Sequence, residues 1–126
     1  MNSNSPLELF TAGYITALLW SSSVTGPDGE DMNADEFELS AAGADLCRAD
    51  CLAFYQRHGA DVDAAAQVYG YDQAGHDFAL TRNRHGAGYW DGDLPHELGE
   101  RLTRAAEHTG QCNAYLGDDG LIYFWG

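Results

Sequence analysis

Between His76 and His96 the chain reads "HDFALTRNRHGAGYWDGDLPH". His76, Asp77, His85, Asp91, Asp93 and His96 are all side chains that can ligate a metal or carry a proton. Their most chemical reading is a metal-assisted hydrolase using His76, Asp77, His85 and Asp91. The spacing argues against it, because the segment holds neither an HExxH helix nor paired CxxC units. Read as strands around the polar turn "NRHG", it becomes a β-hairpin over 76–93. Alternation then puts His76 and Phe78 on one face and Asp77 on the other, with His85 in the turn. A shared site would need distant segments to complete it. The plainer reading prevails: Asp and Asn serve turns and caps, and the glycines allow turn backbone. No catalytic residue, metal ligand or cofactor is expected.

Two other chemistries fail on spacing. Asp31, Asn33 and Asp35 fit the first three ligand positions of an EF-hand loop. That loop demands Gly at its sixth position and a bidentate Glu at its twelfth, where this chain has Glu36 and Ala42. The chain also lacks a GxSxG elbow, a P-loop and a dinucleotide fingerprint. "GDDG" at 117–120 reads as a hairpin turn.

Charge says more than any motif. Twenty Asp and Glu face six basic residues, all arginine, for a formal net charge of −14 and a pI near 4.3. Binding nucleic acid through its phosphates requires clustered Lys and Arg, so direct binding of DNA or RNA is not expected. An anionic membrane surface would repel the chain as well. The electrostatic partner such a protein fits is basic. Asp28, Glu30, Asp31, Asp35, Glu36, Glu38, Asp45 and Asp50 crowd one stretch, opposed only by Arg48. Carboxylates three or four apart on a helix sit about 5–6 Å from one another, a scale comparable to successive phosphates along a strand. These eight residues are the candidate partner-binding set.

The elements that would carry them are legible in outline. "SPLE" at 5–8 is a capping-box start for a helix over 6–22. A second helix is expected over 40–58, with Ser40 as N-cap and Gly59 as its stop, and a short third over 61–69. After the hairpin, "LPHELGERLTRAAEHTG" predicts a helix over 95–109, and "CNAYLGDDGLIYFW" a final pair of strands. The expected fold is therefore α+β: helices, then a ββαββ unit whose antiparallel sheet packs on them. One domain over 1–126 is expected, with 1–70 mainly helical and acidic and 71–126 a hairpin-helix-hairpin. The apolar run 7–24 reads as a core helix rather than a signal peptide or membrane span. Cys47, Cys51 and Cys112 read as buried thiols in a reducing cytoplasm.

"AGHDFALTRNRHGAGYWDGDL", with "LGERLTRAA" and "YLGDDGLIYFW" after it, resembles a recurrent family of small phage- and prophage-encoded proteins. The resemblance covers residues 74–126, and Ala79 stands where a bulky aromatic would be usual. It implies a mobile-element protein acting in the host bacterial cytoplasm. Joined to the charge, it suggests an anti-CRISPR-like inhibitor of a type I system. Such a chain would be a monomer that mimics DNA, binds the basic DNA-binding surface of a Cascade-type subunit and blocks target DNA. A phage structural or assembly adaptor is the remaining alternative.

Overall fold

A computed structural model describes residues 5–126. Helix α1 (Pro6–Trp20) starts at a complete capping box, in which Glu8 N donates to Ser5 Oγ and Ser5 N to Glu8 Oε1. Strands β1 (Ser23–Thr25) and β2 (Asp31–Asn33) form a short antiparallel hairpin. A 3₁₀ turn, Ala34–Glu36, leads into β3 (Glu38–Leu39). Helix α2 (Ala41–Tyr69) and helix α3 (Tyr71–Arg82) follow, then a long loop and helix α4 (His96–Thr109). Strands β4 (Asn113–Leu116) and β5 (Leu121–Trp125) close the chain around the expected "GDDG" turn. β5 lies between β3 and β4, parallel to the first and antiparallel to the second. The α+β class holds, and no described helix is long and apolar enough to cross a membrane.

Two expectations about elements are corrected. The helices expected over 40–58 and 61–69 are one helix with a kink, because His58 leaves helical geometry (φ −128°, ψ 24°) and the chain then resumes it. Gly59 therefore marks a bend rather than a stop. The larger correction is the hairpin over 76–93. Its first half is α3, and its second half is irregular loop. Asp77 and Phe78 are both buried, which no half-exposed strand allows. Burial is unbroken from Asp77 to Arg82, as in a helix enclosed by its neighbours, and α3 packs against α1, α2 and α4.

Why a helix wins here is visible at its contact with α1. A Cβ on Gly75 would lie 1.8 Å from the Phe10 carbonyl oxygen, and one on Gly13 would lie 1.9 Å from that of Asp72. Two glycines thus let the backbones of α1 and α3 touch, and no other residue fits either position. The contact lets Phe78 reach the core, where its ring stacks on Phe54 at 4.0 Å and on Phe10 at 5.8 Å. Tyr14, Leu18, Leu102 and Ile122 extend the same core through α1, α4 and β5. Ala79, the departure from the resembled motif, is fully buried in it.

The three cysteines are buried free thiols. Burial pushes Cys47 up to about 12 and raises Cys51 and Cys112 too, so none carries appreciable thiolate at neutral pH.

Ser40 joins helix and sheet. Its Oγ accepts from Gly43 N at 2.9 Å, capping α2, while its own N–H donates to Ile122 O of β5. Ser40→Ala is expected to cost about 1–2 kcal/mol. In urea this lowers the unfolding midpoint while the slope stays unchanged.

Candidate functional site

The acidic segment is laid out along one continuous path of the chain. Asp28 and Glu30 sit in the β1–β2 turn, Asp31 on β2, Asp35 and Glu36 in the 3₁₀ turn, Glu38 on β3 and Asp45 early in α2. All seven are exposed. The backbone beneath them is tied down. Gly26 N donates to Glu30 O at 2.8 Å, and Asn33 Nδ2 to Trp20 O at 2.9 Å. Asn33 Oδ1 accepts from Asp35 N while Glu36 Oε2 accepts from Asn33 N, a capping box in miniature. Glu36 therefore shapes the turn, whereas Asp35 points its charge outward at no structural cost. Asp45 is paired with Arg48 on the helix surface, a contact of small net energy.

The eighth candidate, Asp50, serves a different purpose. It is only 27 % exposed, and its Oδ2 accepts from Arg82 Nη1 at 2.8 Å. Arg82, 5 % exposed, also donates to Tyr14 Oη at 2.9 Å and to Gly110 O at 2.7 Å. One guanidinium thus binds α1, α2, α3 and the α4–β4 connection. A charge buried this deeply needs a carboxylate, and Asp50 supplies it.

The neighbours of Arg82 complete that function. Thr81 Oγ1 accepts from Tyr89 N at 3.1 Å, fixing the loop that follows. Asn83 grips the start of the last hairpin with both ends of its amide, donating to Cys112 O and accepting from Cys112 N. "TRN" is a clamp between α3, the loop and the sheet.

The histidine-rich segment brings His76 and His85 to one shared indole, with Asp77 beside His76. His76 and His85 each pack a ring on Trp20, with centroids 6.0 Å away. Asp77, 4 % exposed, accepts from Tyr69 Oη at 2.8 Å and from Gln73 Nε2 at 3.3 Å. Its carboxyl is raised above the usual range, chiefly by burial. His76 Nδ1 stands 3.8 Å from Asp77 Oδ1, beyond hydrogen-bond reach. Asp91 accepts from Gly88 N, and His96 pairs with Glu100. Among the described residues no three His, Cys, Asp or Glu side chains are grouped to hold a metal ion.

The sheet brings further acids to this path. Glu38 pairs in register with Leu121, so the acidic path runs up to the β4–β5 turn with its exposed Asp118 and Asp119. Asp119 accepts from Tyr123 Oη and from Leu121 N, which hold its carboxyl below the ordinary range and fully ionised. Tyr123 stacks on Tyr115 at 5.5 Å, setting two aromatic rings beside the acids. "GDDG" was legible only as a turn, because the strand pairing that brings it to Glu38 is non-local. No protein-family model, curated protein or solved structure matches this chain.

Proposed function

We propose that this protein is an inhibitor that presents a duplex-like field of carboxylates to the basic DNA-binding surface of a partner protein. The observation that carries the reading is the run of seven exposed acids from Asp28 to Asp45, with no cation between them and Arg48 the nearest in sequence. Asp118 and Asp119 extend it across the sheet. Short strands, a capped 3₁₀ turn and a capped helix start fix the backbone beneath these charges, so the field is preorganised and loses little entropy on binding. A partner groove lined with Lys and Arg would be steered onto this surface, and the contact would be strongly salt-sensitive. Tyr115 and Tyr123 give the surface an apolar anchor that charge alone lacks. The phage-like motif makes a Cascade-type subunit in a bacterial host the target of choice, with the chain acting as a non-enzymatic monomer.

The test uses acids that make no structural bond. D31K/D35K/E38K leaves Glu36 in its cap and Asp50 on Arg82. Inhibition of DNA binding by a type I Cascade complex is expected to weaken on the order of tenfold or more, through slower association, with the melting temperature unchanged. Full potency in this variant would rule the surface out.

A further inference from the structure

The three-stranded sheet turns one face to the core and leaves the other bare. Ile122 and Phe124 of β5 point inward and are buried, so Leu121, Tyr123 and Trp125 belong to the opposite face. The register adds to that outer face Tyr115 opposite Tyr123, Asn113 opposite Trp125, and Glu38 beside Leu121. Three aromatic rings thus share one small patch of sheet, and Tyr115 and Trp125 are 45 % and 57 % exposed. An exposed apolar patch rimmed by polar residues is the usual mark of an interaction surface.

The rings are held in place from within the sheet. Tyr123 leans over the β4–β5 turn, where a Cβ on Gly117 would lie 2.6 Å from its Cε1, and its hydroxyl reaches Asp119. Tyr115 stacks on Tyr123 with the ring planes 19° apart, which leaves its other ring face open. Trp125 stands diagonally across the pair from Tyr115, positions about 7–8 Å apart in an antiparallel ladder. Carboxylates edge this patch, Glu38 on the β3 side and Asp118 and Asp119 at the turn. All three are exposed, and no ion pair among the described residues uses any of them.

We propose that this face selects arginine over lysine in the partner that covers it. Guanidinium groups lie flat on Tyr115 and Trp125, with their N–H donors turned to the carboxylates at the rim. The occupant is an arginine-rich segment of the basic partner, so the inference rests on the acidic-surface reading and names which cation it reads. Charge alone cannot make that choice, because arginine and lysine carry the same charge and the acidic path attracts both. Planarity and weak hydration can, since a guanidinium stacks on a ring while an ammonium keeps its water. An aromatic platform in an uncharged setting would also take a nucleobase. Here a net charge of −14 repels nucleic acid and leaves a flat cation as the fitting guest.

The experiment titrates the full-length protein with the peptides hexa-arginine, hexa-lysine and hexa-citrulline at about 50 mM salt, followed by ¹H–¹⁵N spectra. Hexa-arginine is expected to shift the Trp125 indole N–H and the amides of 113–116 and 121–125 saturably. Hexa-lysine should bind at least about fivefold more weakly, since it keeps the charge and loses the flat stack on two rings. Hexa-citrulline, planar but neutral, should bind more weakly still. Y115T/W125T should bring hexa-arginine down to the affinity of hexa-lysine and leave hexa-lysine within about twofold of its wild-type value. In the wild-type complex, NOEs should join arginine Hδ protons to the Tyr115 and Trp125 rings, a readout that needs no variant. Equal affinity for the two cationic peptides, absence of those NOEs at saturation, or a variant that keeps the preference overturns the proposal. Each of these leaves the acidic-surface reading standing, because that reading predicts binding of both cations. Failure of both cationic peptides to bind overturns the arginine platform and the acidic docking surface together.

Discussion

Replacing Arg82 with methionine is expected to remove about 3–5 kcal/mol of folding stability, a large share of what a domain of this size has. The hydrophobic stem can be accommodated, but three acceptors lose their donor together. The Asp50 carboxylate is left without its cation, and Tyr14 Oη and Gly110 O lose charge-assisted bonds in the interior. Urea unfolding should show a much lower midpoint. Replacing both partners, as in R82M/D50L, should recover a good part of the loss, because no unpaired charge is then buried. A single variant that loses less than about 1 kcal/mol would mean that Arg82 is a surface pair in effect, not the fold's central tie.

Gly75→Val should be nearly as damaging, and for a purely steric reason. Any side chain there begins 1.8 Å from the Phe10 carbonyl oxygen, so α1 and α3 must separate. Over-packing of this kind costs about 1–3 kcal/mol and sometimes more; here the upper end is expected, because the obstacle is backbone rather than a movable side chain. Gly59→Ala is the matching control. The nearest atom to a Cβ there is a Tyr55 ring carbon at 3.8 Å, and alanine should stabilise the helix by up to about 1 kcal/mol. Thermal melts of the two variants should therefore move in opposite directions.

These two residues also show what sequence could and could not reveal. Local signals read correctly: the Ser5–Glu8 box, Ser40 as a cap, the helix before Gly110 and the last hairpin are all set within a few residues of chain. "HDFALTR" alternates well enough for a strand, yet it is the helix α3, and the close contact that packs it on α1 needs two glycines more than sixty positions apart. Gly75 was the available clue, since a glycine inside an apolar run often marks close backbone approach. Asp50 looked like the other acids, and only the fold sets it against Arg82. The tightly spaced "HDFALTRN" run, which resembled an active site, is instead largely structural. Phe78 fills the core, while Thr81, Arg82 and Asn83 fasten the elements around it.

If the functional charge lies on the segment from Asp28 to Asp45, its signature is electrostatic and can be read directly. The decisive measurement is displacement of labelled target DNA from a purified type I Cascade complex by this protein, at about 50 and about 200 mM salt. Displacement is expected at the lower salt, with potency falling at least about tenfold at the higher, and with D31K/D35K/E38K weaker on the order of tenfold or more at the lower salt. Absence of displacement at low salt, or displacement equally strong at both salts and in the variant, would contradict DNA mimicry by the acidic surface.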